Sequence, residues 1–238
     1  MTASYACIGR LKRTIFPLHA FPCDVERIGS IANWVLQEAA TTTTRWRTTY
    51  ALEGFQISVN VSAQNLVQPD FVTQVRNALQ AAQLDPTHLC LEVTESSMID
   101  DIDSVAIRLQ VLRSIGIKIA IDDFGTGHAT LSYLQQLPID VIKIDRSFVG
   151  DLGTRRNGGA IVASLLQLAQ EIGATCVAEG VETEIQRDAL SRNGCPFAQG
   201  FLFARPLPAS QFEQLLTAGR ATPPDGREKV QIATTPAA

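Results

Sequence analysis

The chain repeats one pattern from residue 55 onward: a short apolar run, one or two polar residues, and then a stretch with the periodicity of an amphipathic helix. The apolar runs are rich in Val, Ile and Leu, and they predict strands at residues 55–62, 88–95, 117–123, 140–145, 174–180 and 197–203. Helices are predicted at residues 69–83, 103–115, 129–137, 158–173, 183–193 and 209–218. Near-continuous apolar strands that alternate with helices are typical of a parallel sheet covered on both faces. About six such units in succession favour a closed (β/α) barrel over an open doubly wound sheet.

The two ends of the chain lack this alternation. Residues 24–40 predict a helix with one apolar face, and the stretch TTTTRWRTT after it is interpreted as a loop, because threonine is a poor helix former. The last residues, 219–238, are rich in Pro, Thr and Ala and predict a mobile tail. Residues 1–23 show no periodicity that predicts an element. We therefore divide the chain into an N-terminal segment at 1–23, a barrel domain at 24–218 and a tail at 219–238.

Composition narrows the class of protein. The 238 residues are 45% apolar and 18% charged, which suffices for one sizeable core, and the net charge of -4 argues against binding of duplex nucleic acid. No apolar run approaches the roughly 20 residues of a membrane span, and no signal peptide is evident. Cys90 and Cys176 lie inside predicted strands and are expected to be buried free thiols. We expect a cytoplasmic protein that contacts neither membrane nor duplex nucleic acid.

Polar side chains collect where the predicted strands end. In a (β/α) barrel the carboxyl ends of the strands meet on one face, where active sites are built. The residues at these ends are Asn60, Glu92 with Glu95, Asp122 with Asp123, Lys143 with Asp145, Glu179 with Glu182, and Gln199. Carboxylates at this density would raise each other's pKa values unless a positive charge lay among them. Two Mg²⁺ or Mn²⁺ ions, which prefer oxygen ligands, would supply that charge and could bind a phosphodiester and activate a water.

Each of these residues alone has an ordinary structural explanation. A polar residue at a strand end is most often a cap or a turn residue. Asp122 and Asp123 could cap the next helix, and Lys143 and Asp145 could form an ion pair along one strand face. Six successive strands that each end in a potential ligand are much harder to explain in this way.

Motifs at these strand ends resemble those of the EAL domain family, whose members are cyclic di-GMP phosphodiesterases. SVNVSAQNL resembles the family's N-x-S motif, LEVTES its E-x-T-E-S motif, and IAIDDFGTGHATLSYL its DDFGTG segment. IDVIKIDRSFV resembles its K-I-D strand, VAEGVET its E-G-V-E-T motif, and GCPFAQGFLFARPLP its Q-G-Y/F ending. The resemblance runs from about Ile28 to Leu216. It implies an α/β fold, a modified (β/α)8 TIM-like barrel, that cuts cyclic di-GMP to linear pGpG with two Mg²⁺ or Mn²⁺ ions.

The resemblance also implies a role for each strand-end residue. The metal ligands would be Asn60, Glu92, Asp122, Asp123 and Glu179, with Asp122 bridging the two ions. The catalytic residues would be Lys143, which holds and polarises the attacking water, together with Glu179, Gln199 and Glu95. The substrate-binding residues would be Asn60, Asp145, Glu182 and Gln199. Glu95 and the loop at 125–132 would couple the second metal to a homodimer contact, so the expected partners are cyclic di-GMP and a second copy of the chain.

The chain departs from the family at its front. The family takes its name from a Glu-Ala-Leu stretch on the first barrel strand, whose glutamate is a ligand of the first metal, and no such stretch occurs here. We therefore expect a first strand that is missing or unlike the family's, with YACIGRL filling the gap in part but bringing no carboxylate. Loss of an anionic ligand weakens metal binding, so hydrolysis is expected to be weak or absent. The alternative is an inactive module that binds cyclic di-GMP or a protein partner in second-messenger signalling.

Overall fold

The structure is a computed structural model that describes residues 4–8, 11–16, 25–52, 54–95, 102–125, 134, 136–152 and 158–218. The predicted helix at 129–137 falls largely outside these residues, and the predicted tail at 219–238 falls outside them entirely. Among the described residues, no helix is both long enough and apolar enough to cross a membrane.

The described strands form one sheet. They are β1 Ser4–Ile8, β2 Leu11–Phe16, β3 Gln56–Val61, β4 Leu89–Thr94, β5 Lys118–Phe124, β6 Val141–Ile144, β7 Thr175–Ala178, β8 Phe197–Ala198 and β9 Leu207–Pro208. Their spatial order is β8-β7-β6-β5-β4-β3-β2-β1-β9. Neighbours from β2 to β8 are parallel, whereas β1 is antiparallel to both β2 and β9. Successive parallel strands in sequence order are the α/β arrangement of a TIM-like barrel.

Helices connect the parallel strands. They are α1 Val25–Tyr50, α2 Ala63–Leu66, α3 Phe71–Ala81, α4 Ile102–Ser114, α5 Arg146–Gly150, α6 Gly158–Glu171, α7 Glu184–Arg192 and α8 Ala209–Thr217. The predicted strands from 55–62 to 174–180 and most predicted helices agree with these bounds to within a few residues. Short α2 and α5 were not predicted, because four or five residues give too little periodicity to recognise.

The predicted strand at 197–203 is wrong beyond Ala198, where the chain turns. The turn wraps around Val181, whose N–H donates to the Gln199 carbonyl at 3.0 Å and whose carbonyl accepts from the Leu202 N–H at 2.9 Å. A Cβ atom on Gly200 would lie only 2.2 Å from the backbone N and O of Val181. Only glycine allows the chain to approach Val181 this closely. The apolar residues after Gly200 therefore continue in a turn around Val181 and not in a strand.

The front of the chain contains strands that the sequence did not predict. β2 lies parallel to β3, with Thr14 level with Ile57 and Phe16 level with Val59, and β1 folds back along β2. Of the two alternatives expected here, a missing first strand or one unlike the family's, the first is wrong, because Leu11–Phe16 occupies the place beside β3. The expectation that this segment brings no carboxylate holds: β1 reads SYACI and β2 reads LKRTIF.

The loop predicted for the threonine-rich stretch is wrong, since α1 continues through it to Tyr50. Thr42, Thr43 and Trp46 are buried there, and the Trp46 ring packs against Phe55 and Phe212. The helix propensity of threonine is lower than that of alanine by only a few tenths of a kcal/mol, about 0.7 at most, whereas burying a tryptophan contributes several times more. Tertiary packing thus overrides local propensity in this helix.

Side chains of the strands alternate between two apolar cores. The larger core lies between sheet and helices and contains strand residues such as Ile57, Leu91 and Ile142. A second, smaller core contains strand residues alone, namely Cys90, Ala120, Val141 and Val177 with the half-buried Phe197. Because alternate residues of a strand share a face, the residue two positions further along each of these strands also faces the barrel interior. The smaller core therefore lies directly below the residues at the carboxyl ends of the strands, where the site is expected.

Candidate functional site

Five of the predicted site residues lie next to the smaller core, on its side toward the carboxyl ends of the strands. They are Glu92, Asp122, Lys143, Glu179 and Gln199, each two residues beyond Cys90, Ala120, Val141, Val177 and Phe197 respectively. The strand period of two residues directs Glu92, Asp122 and Lys143 into the barrel. Glu179 and Gln199 lie one residue beyond β7 and β8 and join them through the contacts of Glu179 with Lys143 and of Gln199 with Glu179. The polar positions that the sequence placed at separate strand ends thus meet in one layer.

Lys143 lies at the centre of this layer. Its Nζ atom is 2.8 Å from Glu92 Oε2, 2.7 Å from Asp122 Oδ1 and 2.7 Å from Glu179 Oε1. Only 4% of the Lys143 side chain is exposed, so these ion pairs are shielded from water. An ammonium has three N–H donors, and each one meets a different carboxylate. The alternative that Lys143 pairs with Asp145 along the strand is wrong, since Asp145 caps α5 by accepting from the Ser147 N–H at 2.9 Å.

Burial and charge act against each other in this cluster. Burial is the largest single influence on Lys143 and lowers its pKa, but the charges of Asp122, Glu179 and Glu92 outweigh it and hold the pKa well above the usual value. Burial raises the pKa of Glu92, and it raises the pKa of Glu179 to about 8, because Lys143 offsets the lost hydration only in part. Glu92 and Glu179 therefore hold protons to a higher pH than ordinary glutamates do, because one ammonium does not offset the burial of both.

Asp123 joins the cluster through a break in β5. On a regular strand, Asp122 and Asp123 would point to opposite faces. The pairing of β5 with β6 is irregular between Ile121 and Phe124, and Asp123 has a φ of +54°, in the left-handed region. As a result, carboxylate oxygens of Asp122, Asp123 and Glu179 all lie within 4.8 Å of one another. A bulge of this kind re-aims a side chain at the cost of local strain.

Asn60 and Glu95 flank the cluster from β3 and the end of β4. Asn60 is half-buried and is paired laterally with Glu92. Glu95 is buried and accepts a hydrogen bond from the Gly125 N–H at 2.8 Å, so it anchors the turn after β5. Sequence reasoning missed Ser58, which is buried below Asn60 and hydrogen bonds to Glu92. Its position two residues before Asn60 on the same strand face was the signal that could have identified it.

Asp145 and Glu182, predicted to bind substrate, lie outside the Lys143 cluster. Asp145 is occupied as the cap of α5, and its hydrogen bonds to the Ser147 side chain and backbone lower its pKa, although burial acts in the opposite direction. Glu182 is exposed, and its backbone N–H donates to Gln186 Oε1 at 2.8 Å. Their role in substrate binding stays a prediction.

The donor set fits a hard divalent cation. Asp122, Asp123 and Glu179 supply carboxylate oxygens close together, and Glu92 adds a further buried carboxylate. Gln199 donates from Nε2 to Glu179, while its Oε1 is buried and has no hydrogen-bond partner among the described residues. Carboxylate and amide oxygens are the ligands that Mg²⁺, Mn²⁺ and Ca²⁺ prefer. A cation here would take the place of the protons that Glu92 and Glu179 otherwise hold.

The raised pKa values predict how stability depends on pH. Without metal, the folded protein holds protons on carboxyl groups that the unfolded chain releases near 4.5, so this contribution to stability is complete below 4.5 and is lost as the pH rises through about 8. We expect the melting temperature in EDTA to fall from about pH 5 to about pH 8. Thermal unfolding followed by circular dichroism measures it.

Two further series check this prediction. Glu179→Gln removes one of the groups whose pKa is raised, so the melting temperature of this variant should depend less on pH. Mn²⁺ competes with protons for these carboxylates, so the stabilisation that it provides should grow as the pH rises. A metal-free melting temperature that rises across this range would contradict the assignment.

Comparison with known proteins agrees with this geometry. A family model described as the EAL domain matches residues 11–206, a range that begins with β2 and ends just before β9. MucR of Pseudomonas aeruginosa, a bifunctional diguanylate cyclase/cyclic di-GMP phosphodiesterase, is 43% identical over 188 residues, which are 77% of this chain and 27% of MucR. The chain thus spans about a quarter of the length of this curated relative.

Solved structures have the same architecture. The PaMucR phosphodiesterase in complex with c-di-GMP superposes with a TM-score of 0.79 at 36% identity, covering 88% of this chain and 93% of that chain. A manganese and cyclic di-GMP complex of Klebsiella pneumoniae BlrP1 superposes with a TM-score of 0.71 at 30% identity, covering 86% of this chain and 55% of that chain. With a family model over most of its length and a relative well above 30% identity, the chain belongs to the EAL domain family.

Proposed function

We propose that this chain is a cyclic di-GMP phosphodiesterase domain that binds its substrate and divalent cations but hydrolyses slowly. The observation that carries the proposal is the buried layer in which Lys143 contacts Glu92, Asp122 and Glu179. Relatives with this fold have been solved with cyclic di-GMP, and one of them also with manganese. The layer is deep, acidic and rich in oxygen donors, as a site for a metal-assisted attack on a phosphodiester requires.

The residues of the layer have different proposed roles in binding metal ions and in positioning the groups around them. Asn60, Glu92, Asp122, Asp123 and Glu179 would hold two Mg²⁺ or Mn²⁺ ions. When bound, these ions supply charge neutralisation for the phosphodiester and lower the pKa of water. Lys143 holds Glu92, Asp122 and Glu179 in one arrangement, and one of its three N–H donors would have to leave its carboxylate in order to hold the attacking water. Gln199 donates from Nε2 to Glu179 and so helps to orient that carboxyl group, while its Oε1 is buried without a hydrogen-bond partner among the described residues.

The low rate follows from the first strand. β2 lies beside β3 but contains no Asp or Glu, whereas the family's first strand supplies a glutamate to the metal site. Each anionic ligand offsets part of the cost of removing water from the ion, so metal affinity falls when one is absent. Binding of the substrate depends on more contacts than this one and is expected to survive. The same observation favours a second candidate, a module that binds cyclic di-GMP without cutting it.

A combined binding and turnover assay tests the proposal. Calorimetric titration with cyclic di-GMP in the presence of Ca²⁺ measures binding, with cyclic di-AMP as a matched ligand that differs only in its bases. Incubation with Mn²⁺, followed by chromatography, measures release of pGpG beside the EAL domain of MucR. We expect selective binding of cyclic di-GMP, and turnover at least about 100-fold below that of MucR.

Each outcome has a distinct meaning. Turnover equal to that of MucR would overturn the expected impairment. Binding with no detectable turnover would replace the slow enzyme by the binding module. A folded protein that neither binds nor cuts cyclic di-GMP would overturn the proposed function altogether.

A further inference from the structure

Phe148 lies against the turn that follows the two aspartates of β5. It is a half-buried residue of α5, and its ring approaches Gly125, which has a φ of +97°. A Cβ atom built on Gly125 would lie 2.8 Å from Cε2 and 3.0 Å from Cζ of Phe148. The ring therefore contacts the backbone itself, and only glycine leaves room for both the contact and the φ angle.

Glu95 holds the same glycine through a different contact. Its Oε2 accepts from the Gly125 N–H at 2.8 Å, and the carboxylate is buried at the end of β4. Gly125 is thus fixed by a charge-assisted hydrogen bond from β4 and by a ring contact from α5. α5 begins immediately after β6, the strand that carries Lys143, so the ring ties the end of β5 to the neighbouring strand.

The end of β5 needs such support. Asp123 has a left-handed φ of +54°, which is unfavourable for a residue other than glycine. Regular pairing with β6 is interrupted between Ile121 and Phe124, so the ladder does not hold Asp123 in place. Strained backbone of this kind persists only where the surroundings over-determine it. Beyond Asp123, Phe124 pairs with Ile144 of β6 and is buried in the larger core, and the anchored Gly125 follows it directly.

We propose that Phe148 is a positioning residue for the Asp122–Asp123 pair. Its ring holds Gly125 in reach of Glu95, and the anchored turn keeps Asp123 in the left-handed conformation that brings its carboxylate beside those of Asp122 and Glu179. The inference rests on the proposed function only in that this arrangement receives a divalent cation. The contacts that link Phe148 to the cluster run through Gly125, so its effect is transmitted through the backbone of β5.

Phe148 also packs against the larger core, so its loss would lower stability whether or not it positions the aspartates. Mn²⁺ affinity is therefore the measurement that distinguishes a positioning role from packing alone. The variants are Phe148→Ala, the conservative Phe148→Leu, and Leu168→Ala, which removes a half-buried side chain of α6 from the same core. Mn²⁺ binding is followed by electron paramagnetic resonance, and the melting temperature is measured in EDTA. Phe148→Ala should weaken Mn²⁺ binding about 10-fold or more, Phe148→Leu should recover most of the loss, and Leu168→Ala should lower only the melting temperature. A Phe148→Ala protein that is less stable but binds Mn²⁺ normally would overturn the proposal.

A double-mutant cycle with Gly125→Ala tests the contact itself. The methyl group should collide with the Phe148 ring, so Gly125→Ala should weaken Mn²⁺ binding, and combining it with Phe148→Ala should add less than the sum of the two single effects. Additive effects would overturn the proposal. If Phe148→Ala does not fold, Phe148→Leu and Gly125→Ala form the cycle. A folded wild-type chain that binds no Mn²⁺ would overturn the metal site of the proposed function as well as this inference, whereas normal affinity in the variants would overturn this inference alone.

Discussion

Replacing Lys143 by methionine is expected to lower the free energy of unfolding of the metal-free protein by about 3–5 kcal/mol, the usual cost of removing one partner from a buried ion pair. Methionine fills much of the same volume but offers no donor to Glu92, Asp122 and Glu179, which all lie within 2.8 Å of the Lys143 Nζ atom. The three carboxyl groups would then repel one another, out of reach of bulk water. Urea unfolding in EDTA measures the effect.

Two comparisons show whether charge is the cause. Arg45→Met removes an ion pair with Glu213 in which the arginine side chain is 58% exposed, and it should cost less than about 1 kcal/mol. Mn²⁺ should stabilise Lys143→Met by more than it stabilises the wild-type chain, because the metal then supplies the missing positive charge. An equally stable Lys143→Met protein would show that the cluster is not an ionised network.

Asp122→Asn is expected to weaken Mn²⁺ binding by at least about 100-fold. Asp122 contacts Lys143 at 2.7 Å and also lies in the group of carboxylates with Asp123 and Glu179. The substitution keeps the shape of the side chain but removes a negative charge that a cation needs to offset its dehydration. Calorimetric titration with Mn²⁺ measures the loss.

The matched control is Asp103→Asn, which makes the same substitution at an exposed aspartate in the first turn of α4. It should bind Mn²⁺ with the affinity of the wild-type chain. Retention of wild-type affinity in Asp122→Asn would place the metal, if it binds, elsewhere in the molecule.

Much of the inner layer was predictable from the period of the strands. A residue such as Glu92 or Lys143 at the end of an apolar run must face the same way as the residue two positions before it. Six runs in order then place their terminal residues on one face of a barrel. The sequence therefore predicted Glu92, Asp122 and Lys143 as neighbours, whereas Asp145 and Glu182, named by the same argument, lie outside the Lys143 cluster.

What the sequence did not predict depends on contacts between distant segments. The helical threonines of α1 follow from the packing of Trp46 against Phe55 and Phe212, which no local propensity reports. The place of β2 beside β3 depends on pairing across more than 40 residues of intervening chain, from Phe16 to Val59. Asp123 was named as a ligand, but the bulge and left-handed φ that turn it toward Asp122 are visible only in the folded backbone.

The proposed site is well formed but lacks one anionic ligand, and the rate of pGpG release as a function of Mn²⁺ concentration is the measurement that reveals such a loss. A site that lacks a ligand binds its metal weakly, so the rate should stay low and continue to rise as Mn²⁺ is increased into the millimolar range. The EAL domain of MucR, measured in parallel, provides the reference curve. A rate that saturates at micromolar Mn²⁺ and reaches the level of MucR would contradict the claim.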